Sequence, residues 1–532
     1  MREYRYLLSV ALAVALLASA CGDSDSDSAD TTIRTSRTTS APATTMAPSQ
    51  QQPIAGGETE TTRAPVSTTT AAPERRDDRD RERPPVNEFT SPREDDLSTF
   101  AVDVDTGAYT IMRAQLENGN LPDPNTVRVE EYVNYFDPGY APPTNETFAL
   151  YADGGPTPFT QSRRHEVVRV GVKAREVSQR ERKDLNLTLV IDVSGSMKED
   201  NKLNIVKDSL AVLVDELDRA DSVAIVAYTD EAWVALEPID GGATDEIMDV
   251  VDDLRPLRST NAEAGLHLGY DQADAMYERD AQNRVVLLSD GVANVGETGP
   301  EGILGRIGDE TRRGIDLVTI GVGISNYNDT LLEQLADQGN GFYAYVDTRD
   351  EAERLFSDEL TSTLETVARD VKVQVWFDPD LVYEYRLLGF ENRDIDDRDF
   401  RDDSVDAGEI GAGHTVVALY EVELDDEAYS RNAAPFAEVS LRWEDADSGR
   451  IDEITGEITG DMLATSFGRS RAEFQLATTV AAYAEVLRDS RYLRGVSMDD
   501  IADVAEELPL RELGVDAEEF ADLVNQALRY FR

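Results

Sequence analysis

The chain has 532 residues, a formal net charge of −55 and an apolar content of 40%. This apolar content is enough to bury hydrophobic cores, and the length suits roughly three domains of about 150 residues each. A surface this negative repels nucleic acid and anionic lipid headgroups, so the composition argues against DNA or RNA binding. There is one cysteine, Cys21, and the chain therefore forms no internal disulfide.

The N-terminus has the pattern of an export signal. Two arginines precede a short apolar run, residues 6–20, which is shorter than the roughly 20 residues that span a bilayer. The run ends in the letters LASAC, which resemble a bacterial lipobox, although Ala18 stands where that pattern usually has a branched aliphatic residue. The alternative is an ordinary signal peptide that happens to hold a cysteine. We predict a lipoprotein signal peptide over residues 1–21, lipidation of Cys21, and an extracytoplasmic protein attached to the cell membrane by its lipid anchor only.

Residues 22–97 have the composition of a tether. They are rich in Thr, Ser, Pro, Ala and charge, as in TTIRTSRTTSAPATTMAPSQQQP. Hydrophobic periodicity is absent, so apolar burial cannot offset the ~1–2 kcal/mol per residue that ordering costs. We therefore predict a disordered linker over 22–97, which holds a folded head away from the membrane.

Residues 185–370 alternate between short apolar runs and amphipathic helical patterns. LNLTLVIDV is typical of a buried parallel strand, and KLNIVKDSLAVLVDELDRA is typical of a helix that follows it. Further strands are predicted at SVAIVAYTD, AWVALEPI, RVVLLSDG, DLVTIGVG and FYAYVD, with helices between them and a long last helix from about residue 350 to 369. This alternation predicts an α/β domain with a doubly wound, mostly parallel sheet, in which ligands bind at the carboxyl ends of the strands.

Five oxygen-bearing side chains are predicted at that edge of the sheet: Asp192, Ser194, Ser196, Thr260 and Asp290. The first three form a D-x-S-x-S sequence at the end of the first strand, and the other two follow on later loops. Oxygen ligands without sulfur or imidazole suit a hard divalent cation, above all Mg²⁺, with Ca²⁺ or Mn²⁺ as alternatives. Each residue alone also fits a turn or a helix cap, and Thr260 with Glu263 fits a capping box.

The order of D-x-S-x-S, then Thr, then Asp after an apolar strand resembles the von Willebrand factor A family, over about residues 184–370. The resemblance implies a Rossmann-like fold and a metal-ion-dependent adhesion site in which Ser194, Ser196 and Thr260 hold the ion. It also implies that Asp192 and Asp290 contact the ion directly or through water. A protein partner then fills the free coordination position with an Asp or Glu carboxylate. We therefore expect a surface-tethered, divalent-metal-dependent protein-binding module and no enzymatic activity.

The flanking residues are too numerous to be linkers. The segments FAVDVDTGAY, near residue 100, and FQLATTVAAYAEVLRDS, near residue 480, resemble the flanks of one bacterial group of von Willebrand factor A lipoproteins. We predict an N-terminal flanking region over 98–184, a β-rich module over 371–465 and a C-terminal helical region over 466–532. Strands before and after the central domain are expected to join in one module, because each set alone leaves unpaired edges.

Two alternative functions are compatible with the sequence. In the first, the chain is an envelope scaffold, and its bound ion only stabilises the fold by mass action. In the second, Asp103-Val104-Asp105-Thr106 is the D-x-D-x-T start of a haloacid-dehalogenase-like phosphatase, with one Asp as nucleophile and the next as general acid. That fold needs a lysine on a later strand, and no lysine occurs between Asp105 and Lys173.

Histidine usage argues against two further classes of enzyme. His165-Glu166 begins like the zinc motif H-E-x-x-H, but residue 169 is arginine, so the motif supplies no zinc-binding pair of histidines. The chain has three histidines and no G-x-S-x-G sequence, which argues against a Ser/His hydrolase. His165, His267 and His414 are therefore predicted to be structural or exposed.

Overall fold

The computed structural model describes residues 32–33, 35–39, 86–160, 162, 164–178, 180–257, 260–291, 308, 310–323, 329–358, 364–429 and 434–531. Residues 1–21, with the predicted signal peptide and Cys21, lie outside the described residues. Among the helices that are described, none is long and apolar enough to cross a bilayer.

The strands are numbered in chain order. They are β1 Thr35–Thr39, β2 Leu97–Ala101, β3 Phe148–Gly155, β4 His165–Ala174, β5 Leu185–Asp192, β6 Ser222–Tyr228, β7 Ala232–Asp240, β8 Gln282–Ser289, β9 Ile315–Val322, β10 Tyr343–Val346, β11 Thr366–Phe377, β12 Val382–Leu388, β13 Gly408–Gly411, β14 Thr415–Leu424, β15 Ala437–Asp445 and β16 Ile451–Ile458.

The α-helices are numbered in the same way. They are α1 Gly107–Glu117, α2 Val129–Asn134, α3 Lys202–Asp215, α4 Thr244–Asp253, α5 Ala262–Met276, α6 Asp329–Gln338, α7 Arg349–Glu353, α8 Ala472–Leu487, α9 Met498–Glu507, α10 Leu510–Leu513 and α11 Val515–Phe531.

The central domain is built on one sheet of strand order β10-β9-β8-β5-β6-β7. Neighbouring strands are parallel except β7, which runs antiparallel to β6 at the edge. Every residue of β5 is buried, because helices cover both faces of the sheet. Leu189 packs with α3 on one face, whereas its neighbour Val190 packs with α5 on the other. The predicted doubly wound, mostly parallel α/β fold is confirmed.

The flanking strands form a two-sheet sandwich. One sheet has the order β1-β16-β15-β11-β13, with β2 also paired to β11, and the other has the order β12-β14-β4-β3. One hydrophobic core lies between the sheets, with Val172 and Tyr420 from one and Val373 and Val439 from the other. Because β4 pairs with β14 and β2 with β11, strands before and after the central domain join in one module, as expected.

The C-terminal helices cover the outer face of the β12-β14-β4-β3 sheet. Val480 of α8 and Phe520 of α11 belong to the same core as Val417 and Leu419 of β14. Helices α1 and α2, which precede the central domain in the chain, pack into this core as well. The molecule outside the central domain is therefore one folded body of two sheets and a helical layer.

The structure corrects the prediction of a disordered linker over 22–97. Strand β1 pairs antiparallel with β16, and Ile33 is buried in the sandwich core. Further along, the Thr90 N–H donates to the Tyr385 carbonyl at 2.8 Å. These backbone bonds to a sheet edge order short segments that have no hydrophobic periodicity of their own. Residues 40–85 lie outside the described residues.

The predicted long helix over about 350–369 is also wrong at its C-terminal end. Helix α7 ends at Glu353, and a π-helical turn continues it over Arg354–Asp358. Residues 366–369 instead begin β11, where Val367 and Ala368 are buried in the sandwich core. Pairing of β11 with β15 starts at Ala368, so tertiary pairing overrides the local helical pattern.

A buried ionic cluster joins the sandwich to the central domain. Arg393 donates from Nε to Asp103 Oδ2 at 2.9 Å and from Nη1 to Asp337 Oδ1 of α6 at 3.0 Å. Asp105 accepts the backbone N–H of Tyr343, in β10, at 2.9 Å. Asp105 of the D-x-D sequence thus contacts the central domain directly, whereas Asp103 is linked to it through Arg393.

Glu130 of α2 lies in the same acidic region and is 1% exposed. Burial, together with the nearby charges of Glu391 and Asp103, raises the pKa of Glu130 from 4.5 to about 7. A carboxyl group whose pKa is higher in the folded state stabilises the fold fully only below its unfolded pKa. That contribution is lost as the pH rises through the folded pKa.

We predict that Glu130→Gln raises the free energy of unfolding at pH 8 by on the order of 1–3 kcal/mol, because the amide is neutral at every pH. At pH 4.5 the gain should vanish, since Glu130 is protonated there. Urea unfolding at both pH values tests this, with the exposed Glu512→Gln of α10 as control. Equal stabilisation at both pH values would contradict the assignment.

Candidate metal centre

Two predicted ligands meet at the carboxyl edge of the central sheet. Asp192 is the last residue of β5, and Asp290 directly follows β8. The two strands are parallel neighbours, with Ile191 opposite Leu288, so their carboxyl ends lie side by side. Both carboxylates are buried: Asp192 is 0% and Asp290 is 5% exposed. The structure thus brings these two acids together, as the sequence predicts.

Asp192 is held by three hydrogen-bond donors. Its Oδ1 accepts the Ser194 N–H at 2.7 Å, and its Oδ2 accepts the hydroxyls of Ser289 at 3.0 Å and Tyr228 at 3.3 Å. Burial raises the pKa of Asp192 to about 6, and the nearby charge of Asp290 contributes. A carboxylate that is buried beside a second one is poorly balanced by hydrogen bonds alone, and a cation relieves that cost.

The two serines of the D-x-S-x-S sequence lie next to each other. The Oγ atoms of Ser194 and Ser196 are 2.9 Å apart, and the backbone between them enters a 3₁₀ turn, Gly195–Asn201, that leads into α3. Ser194 is buried and Ser196 is half-buried. The turn therefore presents two neutral oxygen atoms beside Asp192.

Thr260 lies half-buried on a loop that is fixed at the same edge. Before it, the Leu257 N–H donates to the Val193 carbonyl, immediately after β5, at 2.7 Å. After it, the Asn261 side chain donates to the Asp230 carbonyl, just beyond β6, at 3.4 Å. Asn261 also accepts a backbone N–H in the first turn of α5 and is its N-cap, so the capping-box interpretation of Thr260 is wrong. The Thr260 hydroxyl remains a candidate ligand.

Lys202 is one residue of this centre that the sequence analysis missed. Its Nζ donates to Asp290 Oδ2 at 3.0 Å, and its side chain is 1% exposed. Gly323 makes room for it, because a Cβ there would come 2.3 Å from Lys202 Cε and the backbone φ is +89°. One signal was available: Lys202 is one of only six lysines, and it begins the helix after the D-x-S-x-S sequence.

These residues fit a hard divalent cation. The donors are carboxylate and hydroxyl oxygens, and among the described side chains two buried carboxylates lie beside the ammonium group of Lys202. Mg²⁺ binds such oxygens in near-octahedral geometry and keeps several waters. Ser289 and Tyr228, which the sequence analysis also missed, orient Asp192 from the ends of β8 and β6.

We predict that Lys202→Met, measured in chelator, lowers the free energy of unfolding by about 3–5 kcal/mol, because it removes the ammonium group that pairs with the buried carboxylate of Asp290. Adding Asp290→Asn should recover part of this loss. Urea unfolding of both variants tests the pairing, with Lys207→Met on the same helix as control. Strictly additive effects of the two substitutions would contradict it.

Three models of known protein families match three successive segments of the chain. A model described as von Willebrand factor type A domain matches residues 186–358. Models described as von Willebrand factor and as the C-terminal part of Uncharacterized protein YfbK match residues 76–169 and 362–529.

Several individual proteins are similar to this chain. Uncharacterized protein sll0103 of Synechocystis is 29% identical over 191 residues, 36% of this chain and 44% of that protein. A solved von Willebrand factor type A structure from Catenulispora acidiphila is 18% identical, with a TM-score of 0.41 over 70% of this chain and 89% of that one. Uncharacterized protein YfbK of Escherichia coli is 35% identical over 434 residues, 77% of this chain and 74% of that protein. The chain therefore belongs to the YfbK family of bacterial proteins with a von Willebrand factor type A domain.

Proposed function

We propose that the chain is a divalent-cation-dependent protein-binding module whose ion, held at Ser194, Ser196 and Thr260, binds a carboxylate of the partner. Domains of this type commonly mediate protein interactions. The observation that carries the proposal is the pair of serine hydroxyls, 2.9 Å apart, beside the buried Asp192 carboxylate. Mg²⁺ is the ion that these oxygen donors suit best, and Ca²⁺ or Mn²⁺ are alternatives.

The hydrogen bonds suggest a different role for each ligand of the ion. Hydrogen bonds to both oxygens fix the position of Asp192, and we propose that it contacts the ion through a bound water and orients Ser194. Asp290 keeps Lys202 as its partner and contributes negative charge to the centre. The neutral hydroxyls are then the direct ligands, which leaves the ion with much of its charge for a partner.

Charge balance explains why an ion would have to bind before a carboxylate. Without the ion, Asp192, Asp290 and Lys202 give the centre a net charge of −1, which repels an acidic partner. A divalent ion changes this to +1, and a partner carboxylate then brings the centre to neutrality. Salt screens the remaining negative surface beyond ~10 Å at 0.1 M. The centre is thus built to bind a carboxylate only in its ion-loaded form.

The proposal includes export and anchoring. Cys21, at the end of the apolar N-terminal run, would carry the lipid and hold the module at the extracytoplasmic face of the cell membrane.

Cys21→Ser should release the protein from the membrane fraction. Unchanged membrane attachment of that variant would contradict the anchor.

A phosphatase is not proposed. Asp103 and Asp105 are buried, and their contacts with Arg393 and the Tyr343 backbone support a structural role at the junction. The scaffold alternative uses the same ion centre and differs only in having no carboxylate partner. A binding experiment therefore has to measure the ion and the carboxylate separately.

We predict saturable Mg²⁺ binding to the metal-free chain from Gly22 onward, measured by calorimetry. Ser194→Ala/Ser196→Ala should weaken it at least tenfold, because both neutral ligands are lost. Ser209→Ala, which removes a buried serine of α3 outside the centre, is the matched control. Equal Mg²⁺ affinity in the parent and the double variant would contradict the centre.

The carboxylate step has its own measurement. A Glu-containing peptide should bind the parent chain only when Mg²⁺ is present, and the same peptide with Gln in place of Glu should not bind. Mg²⁺ binding without any Mg²⁺-dependent difference between the two peptides would favour the scaffold alternative.

A further inference from the structure

A second group of metal-ligating side chains lies in the sandwich, outside the centre described above. His165, Glu423 and Glu384 form one row across β4, β14 and β12: Glu423 is directly opposite His165, and Glu384 is directly opposite Glu423. Directly opposed residues project from the same face with their Cβ atoms about 4.5–5.5 Å apart. One ligand atom from each of the three residues lies within 4.8 Å of the other two.

The ring of His165 is held in one orientation. Its Nδ1 lies 2.9 Å from Glu421 Oε1, while Glu421 Oε2 accepts a hydrogen bond from Arg386 at 3.0 Å. Glu421 therefore acts as an ion-paired acceptor, and we assign the Nδ1 proton to this contact. The other ring nitrogen, Nε2, then faces the row. A carboxylate that fixes the far nitrogen of a histidine is the usual support of a metal-binding imidazole.

The spacing around Nε2 suits a tetrahedral ion. Nε2 is 3.2 Å from Glu384 Oε1 and 3.7 Å from Glu423 Oε2. Two ligands that each lie about 2.0–2.1 Å from a tetrahedral Zn²⁺ are about 3.3–3.4 Å apart. The distances in the row bracket that value, so small side-chain adjustments would complete the coordination.

The charges of the two glutamates and the solvent exposure of the row also favour a bound cation. Glu384 and Glu423 are like charges directly opposite each other, a pairing that destabilises a sheet. Arg164 lies 3.6 Å from Glu423 Oε1, but its side chain is 78% exposed, so solvent weakens this ion pair and a cation between the carboxylates would offset more of the repulsion. Their side chains are 36% and 21% exposed, whereas that of His165 is 9% exposed. The row is therefore open to solvent on the carboxylate side, where an ion can enter and a water can remain bound.

We propose that His165, Glu384 and Glu423 form a Zn²⁺-type site, with water as the fourth ligand, that fastens β12, β14 and β4 together. An imidazole with two carboxylates suits Zn²⁺, in contrast to the all-oxygen centre of the other domain. The site joins a strand that precedes the central domain in the chain to two strands that follow it. The inference stands independently of the proposed function.

The competing occupant of the row is a proton. The hydrogen bond to Glu421 and the charges of the neighbouring glutamates raise the pKa of His165. A protonated imidazole would form ion pairs with the same two carboxylates. The test therefore has to detect the metal itself.

Co²⁺ is the probe, because four-coordinate Co²⁺ absorbs visible light more strongly than the hydrated ion and substitutes for Zn²⁺. The chelator-treated chain from Gly22 onward is titrated with Co²⁺ in excess Mg²⁺, and Zn²⁺ is then added. We expect one equivalent of absorbing Co²⁺ that Zn²⁺ displaces, and a Zn²⁺-dependent rise in the melting temperature.

Glu384→Gln and His165→Gln should each weaken Co²⁺ binding at least tenfold and abolish the Zn²⁺-dependent rise in melting temperature. The controls His267→Gln and Ser194→Ala/Ser196→Ala should retain both. Circular dichroism checks that the variants are folded, and the partly exposed Glu384 makes its variant the safer of the two. No absorbing Co²⁺ in the parent, or unchanged binding by folded Glu384→Gln, would overturn the proposal.

Discussion

A carboxylate that is taken out of water has to be balanced by a cation, a proton or strong hydrogen-bond donors. This constraint governs a chain with a net charge of −55 that still buries many acidic side chains. In most places arginine supplies the balance. Arg182 makes a two-point contact with Asp221 at the base of the central sheet, and Arg369 does the same with Asp316. Arginine suits this role because its planar group matches both carboxylate oxygens.

At two places in the described part of the chain, the cationic group beside the carboxylates is a lysine or a histidine, and both are candidate ion sites. At the carboxyl edge of the central sheet, one ammonium group faces two buried carboxylates. In the sandwich, one imidazole faces two opposed glutamates. The ligand chemistry separates the two: hydroxyls and carboxylates select a hard ion, and an imidazole selects a softer one. These acidic groups beside a lysine or a histidine are the physical link between the fold and the proposed binding chemistry.

Lys202 is the reason for the proposed order of binding at the central site, in which the ion binds before the partner carboxylate. A second ammonium would neutralise the carboxylates and remove the need for an ion, whereas no ammonium would leave the loaded site neutral. With one, the loaded site carries a single positive charge, which matches one carboxylate. Gly323 is part of this arrangement, since only a residue without a Cβ lets the Lys202 side chain pass.

Much of the central domain could be predicted from sequence, because buried parallel strands are continuous apolar runs and their helices have a clear period. Asp192 and Asp290 could be placed for the same reason: each follows such a run. The sequence offers a signal for Lys202 itself but not for its partner, since the contact with Asp290 depends on how far the side chain reaches across the folded edge. The row of His165, Glu384 and Glu423 depends on strand register, and β4 is more than 200 residues from β12 and β14 in the chain, so local periodicity does not encode it. The predicted helix over about 350–369 was wrong at its C-terminal end for a similar reason, because residues 366–369 belong to β11, which pairs with β15.

Crystals of the chain grown with Mn²⁺ test the central claim most directly, because Mn²⁺ scatters anomalously and replaces Mg²⁺ at oxygen sites. We predict an anomalous peak at bonding distance from the Oγ atoms of Ser194 and Ser196, with Lys202 still paired to Asp290. The proposal would be contradicted if the carboxyl edge of the central sheet is ordered but shows no anomalous peak at saturating Mn²⁺. It would also be contradicted if a peak is present but neither serine hydroxyl lies at bonding distance from it.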